Sequence, residues 1–155
     1  METLAIVISN PGELAVRRLG VVAMGPGDVL VETEWSAIST GTEKLLWTGR
    51  MPAFPGLGYP LVPGYETVGR VVDSGADARH LVGQRVFVPG ASCFEGARGL
   101  FGGSASRLVV AGARVLPVGD LQMEAVLLAL AATAQRAVAG GVPELIVGHG
   151  VLGRL

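Results

Sequence analysis

Glycine and proline punctuation limits what this chain can fold into more than any other feature. Of 155 residues, 24 are Gly and nine are Pro. That glycine share is about twice the usual roughly 7%. No Gly-X-Y period accompanies it, so a collagen triple helix is excluded and turn-rich β structure is the natural reading. Leu4-Ala5-Ile6-Val7-Ile8 reads as a first strand, ended by Asn10-Pro11-Gly12, and Leu14 to Leu19 as a second. After Pro26-Gly27, Val29 to Ala37 alternates as a strand does. Thr42 to Thr48 reads as a short helix, with Ser39 or Thr40 as its cap and Gly49 as its stop. Arg50 to Gly64 carries four prolines and three glycines and reads as a structured loop. Glu66 to Asp73, Val86 to Val88, Ser106 to Val110 and Arg114 to Val118 are further strands, with a glycine-rich irregular stretch over Ala91 to Gly103. Short strands between tight turns predict a barrel or sandwich.

Near residue 120 the pattern changes. Leu121 to Ala139 is rich in Ala and Leu and predicts a long helix, stopped by Gly140-Gly141 and Pro143. Glu144 to Val147 then reads as a buried strand running into Gly148-x-Gly150-x-x-Gly153. That spacing matches the dinucleotide fingerprint, in which glycines allow a tight turn and close approach to a pyrophosphate at a helix N-terminus. In so glycine-rich a chain the spacing alone is weak, and a Gly-rich turn in a tail is the other reading. The strand directly before it is the context the fingerprint requires. A following helix, parallel strands and an acidic residue about 20 positions on would complete such a fold, and the sequence stops at Leu155 before any of them. The expectation is two parts: a β domain over 1–119, and over 120–155 the linking helix, first strand and glycine turn of a truncated α/β domain.

Composition removes several functions. Half the residues are apolar and 16% are charged, which excludes an intrinsically disordered chain. Twelve Lys and Arg stand against 13 Asp and Glu, so the net charge is −1 and the basic excess of a nucleic-acid binder is absent. The start, Met1-Glu2-Thr3, has neither a basic region nor a long apolar run. The longest apolar run, Ala125 to Ala132, falls short of the roughly 20 residues of a spanning helix. A soluble, cytoplasmic protein is expected. The mean hydropathy of +0.52 is high; it reflects either a buried partner surface or a bias toward Ala, Val and Leu. Cys93 is the single cysteine, so no intrachain disulfide framework or cysteine metal cluster can form, and it reads as a small buried or loop residue.

A strand-rich front, a long helix and a dinucleotide turn together resemble the medium-chain dehydrogenase/reductase superfamily, across essentially the whole chain. Pro26-Gly27-Asp28-Val29-Leu30-Val31, Pro63-Gly64-Tyr65-Glu66-Thr67-Val68-Gly69, Val82-Gly83-Gln84-Arg85-Val86 and Ala131-Ala132-Thr133-Ala134-Gln135-Arg136-Ala137 are similar to its recurring segments. The resemblance implies a GroES-like β-barrel domain followed by the start of a Rossmann domain. The strings Ser39-Thr40-Gly41-Thr42-Glu43-Lys44 and Phe54-Pro55-Gly56-Leu57-Gly58-Tyr59-Pro60-Leu61-Val62-Pro63-Gly64-Tyr65-Glu66 resemble one branch of it. Members of that branch act in bacteriochlorophyll biosynthesis. They oxidise the 3-(1-hydroxyethyl) group of a bacteriochlorophyllide, a chlorin-type substrate, to 3-acetyl with NAD as hydride acceptor.

Many members of the superfamily hold a catalytic zinc with two cysteines and a histidine, and such a site needs three protein ligands with one position open. Ungapped placement on that pattern puts Ser39, Tyr65 and Ala129 at the three ligand positions and leaves only Glu66 of the constellation. The resemblance therefore implies a zinc-free member. Tyr65 can hydrogen-bond the reacting oxygen or pass a proton, or be a barrel-wall tyrosine with a satisfied hydroxyl. Ser39 and Thr40 can extend a relay, or cap the helix. Glu66 can be a tuned buried carboxylate, or half of an ion pair, and Glu43 reads as a first-turn dipole partner more than as a catalyst. By resemblance, Thr133 lies beside the nicotinamide, or only caps or packs within its Ala-rich helix, and Gly148, Gly150 and Gly153 hold the dinucleotide. Trp47, Phe54, Leu57 and Tyr59 line a pocket for a flat macrocycle, or pack an ordinary loop.

Three functions follow: the substrate-side part of an NAD-dependent secondary-alcohol dehydrogenase, a non-catalytic β module that binds pigment or a protein partner, or a quinone-reductase-like member using NADPH. Residues 1–155 by themselves are expected to be inactive. The apolar end from Leu121 onward is expected to be loosely ordered or to pair with another chain.

Overall fold

The computed structural model describes residues 1–141 and 143–155. β1 (Glu2–Asn10) and β2 (Glu13–Gly20) form an antiparallel hairpin around Pro11-Gly12, where Gly12 takes φ +82°, a conformation open to glycine. Thr3, Ala5 and Val7 face inward on alternate positions of β1, whereas Ile8, on the opposite face, is buried against Leu46 and Leu61. β3 (Asp28–Ser36) leads to the helix α1 (Thr42–Trp47) and, past a long loop, to the two-residue strand β4 (Leu61–Val62). β5 (Thr67–Ser74), a 3-10 turn over Ala76–Leu81, β6 (Arg85–Val88), β7 (Arg98–Gly99), β8 (Arg107–Ala111) and β9 (Leu116–Pro117) complete the β part.

Two sheets result, ordered β2-β1-β4-β7 and β8-β3-β5-β6-β9. The segment Ser104–Ser106 stitches them together. Ile6 N–H donates to Ser104 O at 2.9 Å, Ser106 N–H to Leu4 O at 2.8 Å, and Thr33 N–H to Ser106 O at 3.0 Å. Val7, Val29, Val31, Val62, Val86 and Leu108 fill the space between the sheets. Each such side chain contributes about 1.5–3 kcal/mol on burial. In β5, Gly69 lets β3 approach: a Cβ there would sit 2.3 Å from Glu32 O. The fold is mainly β with few helices, as the glycine and proline punctuation predicts.

Two expectations at the C-terminal end need correction. The helix predicted over Leu121 to Ala139 begins as a 3-10 turn, Met123–Leu127, and is α-helical only over α2 (Leu128–Val138). Ala125 and Val126 of that turn are buried against Val68, Phe87 and Val118, and this packing sets the local winding. The strand predicted at Glu144–Val147 does not form. Leu145, Ile146 and Val147 are exposed, at 79%, 58% and 91%, and no described residue pairs with them. An extended apolar run becomes a buried strand only when neighbours supply its hydrogen bonds and cover its faces. The chain closes with the short helix α3 (Val151–Arg154).

Candidate active site

The site gathers where the loop after β3, the helix α1 and the turn before β5 meet. Leu46 is fully buried and packs with Ile8 and Leu61, pinning α1 to β1 and β4. Leu57 and Tyr59 pack against the same cluster, and the Tyr59 hydroxyl donates to Leu46 O. The turn Pro63-Gly64-Tyr65-Glu66 is held by the Gly103-Ser104 backbone. Gly103 N–H donates to Gly64 O at 2.7 Å, and Ser104 N–H to Pro63 O at 2.9 Å. Gly64 has φ +95°, and a Cβ there would meet Ser104 Oγ at 2.3 Å, so this turn requires glycine.

That clamp fixes Tyr65, whose hydroxyl donates to Ser39 Oγ at 2.6 Å and lies 3.4 Å from Thr42 Oγ1. Its ring meets Phe101 edge to face, with centroids 5.2 Å apart. Ser39 therefore does not cap α1 with its side chain, and Thr40 does not either. The N-cap is Gly41, with no side-chain hydrogen bond, and Glu43 N–H donates to the Ser39 carbonyl at 3.0 Å.

Two carboxyl groups lie beside this network. Glu43 and Glu66 are 9% and 3% exposed, and Glu43 Oε2 and Glu66 Oε1 have no hydrogen-bond partner. Burial, and then the charge of Glu66, push the Glu43 carboxyl up to about 7. Burial also raises Glu66. Neither forms an ion pair among the described residues. Sequence reasoning missed Glu43 because position in a first helical turn suggests a solvated dipole partner, whereas the side chain is enclosed between α1 and the Tyr65 turn.

A cleft of about 460 Å³ opens beside α1, within the range of small-molecule sites. Ile6, Ile38 and Trp47 supply apolar wall, and Thr40, Glu43 and Ser104 supply polar groups. Trp47 and Thr40 thus share this cleft, whereas Leu57 and Tyr59 lie in the cluster around Leu46, and Phe54 is 38% exposed on the long loop. Tyr65, Ser39 and Glu66 stand next to it through the α1 segment. Thr133 is exposed on α2, and its hydroxyl donates to Ala129 O at 2.9 Å. Gly148 and Gly150 are exposed. Gly148 has φ +91°, and a Cβ on Gly153 would sit 3.0 Å from Gly148 O. The last glycine therefore closes tightly on the first.

The donor set does not suit zinc. No three His, Cys, Asp or Glu side chains among the described residues converge. The hydroxyls at the placed ligand positions, Ser39 and Tyr65, are already hydrogen-bonded to each other. Among the described residues no helix is long and apolar enough to cross a membrane.

Residues 25–127 match the family model of the alcohol dehydrogenase GroES-like domain, and the chain belongs to that family. Over its whole length it is 52% identical to the 2-desacetyl-2-hydroxyethyl bacteriochlorophyllide A dehydrogenase of Rhodobacter capsulatus and 50% identical to that of Cereibacter sphaeroides, covering 51% and 52% of those proteins. It thus spans about half the length of these curated relatives. Among solved structures, 2R,3R-butanediol dehydrogenase from Bacillus subtilis superposes with a TM-score of 0.74 at 24% identity, over 94% of this chain and 49% of that one. An Escherichia coli alcohol dehydrogenase complexed with NADH gives 0.74 at 21%, over 92% and 46%. These two likenesses show the fold.

Proposed function

We propose that this chain is the substrate-side part of a nicotinamide-dependent dehydrogenase that oxidises the 3-(1-hydroxyethyl) group of a bacteriochlorophyllide to 3-acetyl. The carrying observation is identity of 50–52% across the whole chain to two relatives named for that substrate. The apolar cleft with a few polar groups, next to the Tyr65 network, supports it. In this reading residues 1–119 form the substrate domain, and residues 120–155 lead into the nucleotide domain.

NAD held by Gly148, Gly150 and Gly153 supplies the hydride acceptor when bound. Tyr65 orients the alcohol. Its hydrogen is committed to Ser39, so its oxygen is free to accept the substrate O–H. As the alcohol gives its proton to Tyr65, Tyr65 gives its own to Ser39 and Ser39 gives its own onward, to an ionised carboxylate of the Glu43–Glu66 pair or to solvent. Thr40 positions the hydroxyethyl arm from the cleft wall. Glu66 and Glu43 form the proton store behind the relay, because two adjacent buried carboxyls do not both ionise readily. The same hydroxyls take the place of a metal in polarising the oxygen, so the reaction runs without zinc.

Residues 1–155 alone turn over nothing, because the glycine turn is exposed and, among the described residues, no strand pairs beside it. A chimera tests the reading: residues 1–155 joined to the remaining half of the Rhodobacter capsulatus relative, assayed with NAD and the hydroxyethyl pigment. Expected are oxidation by the chimera, none by residues 1–155, and a loss of roughly 100-fold or more on Tyr65→Phe. A chimera that oxidises small secondary alcohols and never the pigment overturns the substrate assignment. Full activity in Tyr65→Phe removes Tyr65 from the relay.

A further inference from the structure

The cleft beside α1 does not end at α1. A second cleft of about 320 Å³ shares Ile6, Ile38 and Ser104 with it and reaches Val16. Together they make a continuous trough along the outer side of β1. Its walls carry large apolar side chains open to solvent: Ile38 is 74% exposed, Val16 64%, Leu14 53% and Trp47 45%. An apolar surface of this extent in one place is the mark of a binding site.

Among the described residues, one cation borders the trough. Lys44, the sole lysine of the chain, follows Glu43 on α1 and lies less than one turn before Trp47. Among the described residues it joins none of the salt bridges, which all use arginines on the β strands. Among the described residues, Glu43 is the single acidic residue lining the trough. Enclosure and the neighbouring Glu66 raise its carboxyl to about 7, so about one pH unit below that it is mostly neutral and sets little negative charge against an anion.

We propose that the trough holds the face of a flat, apolar macrocycle, stacked on Trp47, and that Lys44 pairs with a carboxylate on the rim of that ring. The inference rests on the bacteriochlorophyllide reading for the identity of the ring and goes beyond it in assigning the anchor. A chlorophyllide is the free acid of its pigment. It combines a wide apolar plane with one propionate at the edge, which is the combination the trough and Lys44 complement. An esterified pigment has the same plane and no anion.

The test is direct binding to the chain, followed by pigment absorbance and by tryptophan quenching in a Trp35→Phe background, which leaves Trp47 as the one indole. The probes are pheophorbide a, a chlorin with one free propionate, and its methyl ester, at about pH 6, where Glu43 is mostly neutral, and at low ionic strength. The wild-type chain is expected to bind the acid about fivefold more tightly than the ester, the advantage of one partly exposed ion pair, and to lose that preference in high salt. Lys44→Ala binds the two alike, Lys44→Arg keeps the preference, and Lys44→Glu reverses it. Lys44 is exposed, so the fold is not at stake. A wild-type chain that binds acid and ester equally, or a preference that survives Lys44→Ala, overturns the anchor and leaves the pigment reading standing. Failure to bind either probe overturns both.

Discussion

At Glu43 the enclosure of one side chain creates a pH dependence. Its carboxyl titrates near 4.5 when solvated and near 7 in the fold, raised first by burial and then by Glu66. Between those values the folded chain holds a proton that the unfolded chain has released. Stability therefore falls as the pH rises from about 4.5 to about 7, and this contribution is flat above. Glu43→Gln removes the titration. In urea titrations at pH 5 and pH 8 the wild type is expected to lose on the order of 1–3 kcal/mol more than the variant over that interval. Equal losses in the two proteins would show that Glu43 titrates as a solvated carboxyl. The sequence marks Glu43 only as an acid in a first helical turn. Tyr65 and Glu66 were legible as candidates because their string resembles a known pattern. That Tyr65 donates to Ser39 is a contact between segments more than 25 residues apart, and that Glu66 has no arginine partner among the described residues depends on the same packing; no local pattern carries either.

Elements show the same division. β3, β5 and β8 were legible within a residue or two, because alternation of apolar side chains between Gly and Pro turns is a local signal. β4 and β7 were not. Each has two residues and exists through pairing with a distant strand, Leu61 with Ile8 and Leu61 with Arg98. In α1 the sequence offers Leu45 and Leu46 as equals, yet Leu45 is 38% exposed and Leu46 is fully buried beside Ile8 and Leu61. Leu46→Ala is expected to cost about 2–5 kcal/mol, and Leu45→Ala under about 1 kcal/mol, both read by chemical denaturation. Because α1 carries Glu43, Lys44 and Trp47, the first variant is also expected to weaken pigment binding, whereas Leu45→Ala leaves it intact.

For the whole molecule, the contrast between the ends matters most. The sheets of the β part share a core of valines, while Leu145, Ile146, Val147 and Val151 stand in solvent at 54% exposure or more. Apolar surface of this kind favours association. Light scattering of the chain is expected to show a mass that rises with concentration, and Val147→Asp together with Leu145→Asp to lower it. A concentration-independent monomer would count against association through this end.

Composition and punctuation alone determined the mainly β fold, the change of pattern near residue 120, and the tight turn at Gly148 to Gly153. These depend on conformational preferences of a residue and its near neighbours, above all the backbone freedom of glycine and the rigidity of proline. Only the tertiary structure decided that Glu144–Val147 is no strand, that Gly41 rather than Ser39 or Thr40 caps α1, and that Glu43 joins Glu66. It also decided that Lys44 borders the apolar trough. Each depends on which surfaces the rest of the chain brings near: hydrogen bonds need partners, and a carboxyl's charge depends on how much water its neighbours exclude.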